Sequence, residues 1–131
     1  MFKNPILVVM VLKEKAEHLA LIEKTINYLE TKGFENIKAD IDGYETPKSF
    51  IMKNDGIEIT PDIVAENKGR VQYIEVGVKS NDKRLLKTKW KFLKTWAGMK
   101  NRTFRVIAHK GSYGFSDKIL DEINLNRSVR I

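Results

Sequence analysis

Residues 61–79 read Pro61-Asp62-Ile63-Val64-Ala65-Glu66-Asn67-Lys68-Gly69-Arg70-Val71-Gln72-Tyr73-Ile74-Glu75-Val76-Gly77-Val78-Lys79. Two apolar arms flank the segment Glu66 to Arg70, in which Gly69 can take a positive φ, so the stretch predicts a β-hairpin. One arm places Asp62 directly after a proline. The other sets Glu75 among Tyr73, Ile74 and Val76. A charge inside such a run is costly to bury unless something pairs with it. A divalent cation shared by two carboxylates is one such partner. Magnesium suits the role because it takes oxygen ligands in an octahedron and keeps several waters.

Side chains alternate across a strand. Val71, Tyr73, Glu75, Gly77 and Lys79 therefore face one way, and Gln72, Ile74, Val76 and Val78 the other. The Ile74/Val76/Val78 face is the natural core. Glu75 then stands on the opposite face, beside the antiparallel neighbour that carries Asp62. The two carboxylates and the backbone carbonyl of Val76 make a plausible protein share of one magnesium shell.

Upstream, Asn4-Pro5 has the form of a helix start, and Leu19, Ile22, Ile26 and Leu29 share one helical face. The spacing predicts a helix to about Lys32, stopped at Gly33. The apolar run 6–12 taken alone also suits a buried strand. Phe34 to Asp42 alternates and predicts a half-buried strand. Residues 43–55 read as a loop with a short strand at Ser49 to Met52, and a second strand covers about Ile57 to Ala65. The hairpin's second arm is the third strand, Val71 to Lys79. Downstream, Ser80-Asn81-Asp82 offers caps for a helix to about Met99 with Leu86, Trp90, Leu93 and Ala97 as its apolar stripe. Phe104 to Ala108 is a fourth strand. Ser116 is the expected cap of a last short helix carrying Ile119, Leu120 and Ile123.

The chain has 131 residues, a length that suits one domain spanning 1–131. Cysteine is absent, which excludes disulfides, thiolate metal sites and cysteine nucleophiles. The run 6–12 is too short to span a bilayer and lacks the features of a signal peptide, so no membrane association and a cytoplasmic setting are expected. Charge is uneven. Residues 1–66 hold 8 Lys/Arg against 12 Asp/Glu, net −4, and residues 67–131 hold 16 against 5, net +11, which together give the formal +7. A basic half of this kind fits a polyanion such as nucleic acid, and equally a solvated helix.

The element order α-β-β-β-α-β and the residues Pro61-Asp62 and Ile74-Glu75-Val76 resemble the PD-(D/E)XK nuclease superfamily over about residues 15–109. Lys87, Trp90, Leu93 and Ala97-Gly98 follow the rhythm of small virus-type replication-and-repair modules and Holliday-junction resolvases, which the chain resembles most within that superfamily. The resemblance implies a restriction-endonuclease-like α/β fold, a mixed central sheet flanked by helices. It implies hydrolysis of phosphodiester bonds in DNA or structured RNA with Mg2+ or Mn2+. Asp62, Glu75 and Val76 would hold the metal. Gly77 stands where the superfamily places its catalytic lysine, and Lys87 where such modules often place glutamine. Lys79 lies on the face of Glu75, about 6–7 Å beyond the expected place, and is one replacement; Lys87 or Lys83 reaching over from the helix is the other. The expected catalytic set is thus Asp62, Glu75, Lys79 and Lys87.

Lys83, Arg84, Lys87, Lys89, Lys91 and Lys94 are the candidate contacts to phosphates, against the plainer role of a solvated helix face. Glu23, and then Glu17, are candidates for an additional acid from the first helix, against the commoner solvent-facing role. Trp90 fits the core, and Trp96 suits either stacking or packing. His109 is more simply incidental, and His18 has no visible partner. Three function classes follow: a metal-dependent nuclease, a catalytically silent module of the same fold that binds nucleic acid, and a protein-interaction domain, homodimeric in its simplest form, that uses the apolar segment 6–12.

Overall fold

The computed structural model describes residues 5–80 and 82–131, with side chains from Lys15 onward. The proposed caps Asn4 and Asn81 and the apolar side chains of 6–12 lie outside the described residues.

The hairpin forms where the turn residues allow it. β4 (Ile63–Asn67) and β5 (Arg70–Gly77) pair antiparallel from Ile63↔Ile74 to Asn67↔Arg70. Lys68 and Gly69 take φ of +53° and +77°. A two-residue connection with both φ positive is the turn whose twist matches the strands it joins. β1 (Glu35–Ala39) pairs antiparallel with the outer side of β4.

On the other side of β5 lies β6 (Thr103–Ala108), parallel to it and reached through α2 (Lys83–Met99). A parallel pair needs such a crossover. β7 (Val129–Arg130) adds a short parallel edge after α3 (Tyr113–Glu122). The sheet is therefore five-stranded and mixed, in the order β1-β4-β5-β6-β7.

Helices cover both faces. α1 (Pro5–Thr31) lays Ile22, Ile26 and Leu29 on Ile63, Ala65, Ile74, Val76 and Ile107. On the reverse face Trp90 of α2 and Ile119 and Leu120 of α3 pack around Val106. β5 is consequently buried on both sides from Gln72 to Gly77. Among the described residues no helix is long and apolar enough to cross a membrane.

Two expectations need correction. The strand predicted over Ile57 to Ala65 is two strands. β3 (Glu58–Ile59) pairs with β2 (Phe50–Ile51) as a separate two-stranded sheet, and β4 begins only at Ile63. Pro61 lies in the break; it has no N–H to give a ladder. Ser116 is not the cap of α3, because the helix starts earlier and Ser112 holds that place. Ser116 is instead fully buried inside the helix. A Cβ on Gly77 would overlap its Oγ and come within 3.2 Å of Val106 Cγ1. Glycine at position 77 is what lets α3 approach β5.

Candidate functional site

The site forms where the β4–β5 ladder stops. Past the Ile63↔Ile74 pair, side chains replace the backbone partners. The Asp62 N–H donates to Glu75 Oε2 at 2.8 Å, and the Val76 N–H donates to Asp62 Oδ2 at 2.9 Å. Each carboxylate is thus fixed by the other strand's backbone. Asp62 is 4% exposed and Glu75 1%.

The cation comes from α2. Lys89 Nζ lies 3.0 Å from Glu75 Oε1 and 3.6 Å from Asp62 Oδ1. The Trp90 indole N–H, next in the chain, donates to Glu75 Oε1 at 3.2 Å. From the opposite helix layer, His18 Nε2 of α1 donates to Asp62 Oδ2 at 3.2 Å. His18, without a visible partner in the sequence, therefore has one in the fold.

Two buried acids face one lysine, and the electrostatics follow. Burial, then the charge of Asp62, pushes Glu75 from 4.5 up to about 7, against the pull of Lys89. Burial acts on Asp62 the same way, but Lys89, His18 and the Val76 N–H outweigh it and hold Asp62 below its ordinary value. Burial would lower Lys89, yet the charges of Glu75 and Asp62 more than offset that and raise it. His18 is likewise raised: burial opposes its charge, and the bond to Asp62 prevails.

These groups border a pocket of about 340 Å³. Asp62, Glu75, Val76 and Lys79 line it, with Lys89, Lys15 and His18. Of the expected residues, Lys87 stands elsewhere. It pairs with Glu122 of α3 and does not line the pocket. Lys83, Arg84, Lys91 and Lys94 are exposed along α2, Lys83 over the ring of Phe115. Glu23 lines a neighbouring groove and Glu17 is exposed. Trp96 packs with Phe50 and Phe92 and donates to Tyr73 Oη. His109 is buried, with Nε2 2.8 Å from Thr25 Oγ1.

The sequence places Lys89 only among the basic residues of the helix; its place beside the two carboxylates is what sequence reasoning missed. Its signal was present: Lys89 is three residues after Leu86 and four before Leu93, hence on the apolar stripe beside Trp90. A lysine on a core-facing stripe must find a carboxylate. Among the described residues no three His, Cys, Asp or Glu side chains group as metal ligands. The acidic donors facing the pocket are the Asp62 and Glu75 carboxylates.

Comparison of the chain with protein-family models, with curated proteins and with solved structures finds no match. The chemistry rests on the arrangement itself. Paired acids with an adjacent ammonium can share a divalent cation and bring positive charge to a phosphate.

Proposed function

We propose that the chain is a metal-dependent nuclease of the PD-(D/E)XK kind, with α1-β1-β4-β5-α2-β6 as its restriction-endonuclease-like core. It would hydrolyse phosphodiester bonds in DNA or structured RNA. The observation that carries this reading is the convergence of Asp62, Glu75 and Lys89 on one pocket.

The donor set suits magnesium or manganese. Both carboxylates are hard oxygen donors, and Glu75 is raised first by burial and then by the charge of Asp62 beside it, both of which a bound cation would offset. Asp62 and Glu75, with the Val76 carbonyl, would hold the ion. When bound it supplies positive charge at the phosphate and lowers the cost of generating the attacking hydroxide. Lys89 brings a fixed ammonium to the same pocket, where it can stabilise negative charge developing on phosphate oxygens. The role given to the lysine absent at position 77 thus passes to α2. Exposed Lys79 and Lys15 at the rim draw the polyanion in.

The test is cleavage of plasmid and branched DNA, and of structured RNA, with magnesium or manganese. Asp62→Ala is expected to reduce the rate by at least about a hundredfold, the scale of losing a preorganised electrostatic group. Equal rates for Asp62→Ala and wild type would sink the assignment, as would intact substrates under every metal condition.

One observation favours a second reading. Glu75 already accepts from the Asp62 N–H and the Trp90 indole and touches Lys89, a network satisfied without any ligand. A catalytically silent module would keep that network and grip nucleic acid with the basic half. It would show affinity falling with salt, by about 0.9 log unit per log unit of salt for each phosphate neutralised on duplex DNA, and no cleavage.

A further inference from the structure

A groove of about 900 Å³ runs from the carboxylate pocket along α1 to the loop after β1. Lys15 and His18 line both, so groove and pocket adjoin across these two side chains. The join is short. The Asp40 N–H donates to the Asp62 carbonyl at 3.1 Å, which sets Asp40 one strand spacing, about 4.8 Å, from Asp62.

Charge divides along this cleft. The pocket end carries Lys79 and Lys89. Past the shared Lys15, the groove presents Glu23, Asp40 and Asp42, and among the described residues neither Lys nor Arg lines it there. A phosphodiester backbone entering that end meets repulsion. The edge of a nucleobase meets the opposite: its exocyclic amines donate to carboxylates, and the Asn27 amide can pair with an adenine edge. Tyr44 and Leu19, each 37% exposed, add a ring face and an apolar wall. Every base can stack on such a ring. Gly43, at φ +91°, turns the chain just before Tyr44.

We infer that the groove takes an unpaired nucleobase from the strand whose phosphate lies over Asp62 and Glu75. The substrate is then single-stranded or locally unpaired nucleic acid, such as a flap, a loop or a flipped nucleotide. The inference rests on the nuclease reading above and narrows its substrate class. An intact duplex keeps its bases stacked and leaves the groove unfilled.

The experiment uses the full chain, magnesium and phosphorothioate oligonucleotides carrying 2-aminopurine, whose emission falls when it stacks. The single strand is expected to bind more tightly than its own duplex, with quenching on binding. Tyr44→Ala should weaken single-strand binding by about 5- to 100-fold, the range that base–aromatic stacking supplies, and remove the quenching. Tyr44→Phe should keep both, and Asn27→Ala should weaken binding of adenine-containing strands. Equal affinity for duplex and single strand, absence of quenching, or a Tyr44→Ala variant identical to wild type would overturn the inference. So would a lysine-rich peptide that occupies the groove while oligonucleotides do not. Plasmid cleavage is measured alongside. Quenching without cleavage supports the base groove and removes catalysis, whereas cleavage indifferent to Tyr44 and to strandedness removes the groove and leaves catalysis standing. No affinity for any nucleic acid removes both.

Discussion

Two buried acids, Glu75 on β5 and Asp117 of α3 beside β7, lie about two strands apart on the same sheet, and their electrostatics run in opposite directions. Asp117 of α3 accepts from the Ser128 N–H at 2.9 Å, the Ser128 hydroxyl at 2.7 Å and Arg130 at 3.0 Å. Burial works against its charge, but these partners prevail and hold it below the usual carboxylate range. One acid is fully matched, and the result is a clasp that ties β7 to α3. At the other cluster two acids share Lys89, and Glu75 is pushed up to about 7. A matched acid adds stability. A buried pair of acids is eased by further positive charge, which is what the proposed metal ion would supply.

Removing the lysine should give the largest effect. Lys89→Met keeps the apolar stem, strips Glu75 of its ammonium partner and leaves Asp62 with His18 and the Val76 N–H. A loss of about 3–5 kcal/mol is expected at pH 8, the cost of breaking a buried ion pair from one side. Urea unfolding should show the loss shrinking at pH 5, where Glu75 takes a proton, and shrinking again with magnesium at pH 8. A loss below about 1 kcal/mol at pH 8 would mean that the ammonium does not balance this pair.

The pH dependence of the metal-free protein comes next. Glu75 rises from 4.5 to about 7 on folding, so between those values the native state holds more protons than the unfolded state. Stability therefore falls as pH climbs from about 4.5 to 7, by on the order of 3 kcal/mol at 1.36 kcal/mol per unit. His18 is raised too, and its contribution is present below 6.5 and lost as pH rises through its folded value. Asp62 is lowered, so its contribution is lost on the acid side, as pH falls below 3.8. Thermal unfolding in EDTA should show a maximum between pH 3.8 and 4.5 and a decline to about pH 8. Magnesium should flatten the decline, and an unchanged slope with magnesium would argue against metal at Glu75.

Asp117→Ala provides the contrasting result. It leaves the Ser128 N–H and Arg130 without their acceptor, and about 2 kcal/mol should be lost. Cleavage per folded molecule should stay at the wild-type rate. A drop in cleavage without a drop in stability would erase the distinction between the two clusters.

Much of this arrangement was legible in the chain because local chemistry governs it. The Lys68-Gly69 turn set the hairpin, the hairpin set the Ile74/Val76 face, and the same alternation put Glu75 opposite that face and beside Asp62. The stripe of α2 was readable from Leu86, Trp90, Leu93 and Ala97, three of which are buried. The ion partners were not readable in that way. His18 lies 44 residues from Asp62, and Lys87 and Lys89 are two positions apart on a helix turning 100° per residue, so one meets Glu122 and the other Glu75. The break at Pro61 was also obscured, because apolar residues continue on both sides of it and only the missing N–H marks the end of pairing.

Gly77→Ala is the smallest expected effect and bears on why position 77 is a glycine. The added Cβ would displace the Ser116 hydroxyl, the end of a rotatable side chain, and press on Val106 Cγ1 at 3.2 Å. Among the described residues Ser116 Oγ has no hydrogen-bond partner, so turning it away breaks none of their bonds. A cost of about 1 kcal/mol is expected, at the low end for overpacking. Ser116→Gly in the same chain should recover it, since that removes the side chain in the way. Gly77→Lys must thread a whole side chain between β5 and α3 and should cost clearly more than Gly77→Ala. Under the proposed nuclease function, cleavage by Gly77→Ala should remain within about twofold of wild type per folded molecule, because Lys89 would supply the cation and position 77 does not line the pocket. If Gly77→Ala abolished cleavage at full stability, position 77 would have to act in the chemistry directly. The close approach of α3 would then not explain the glycine.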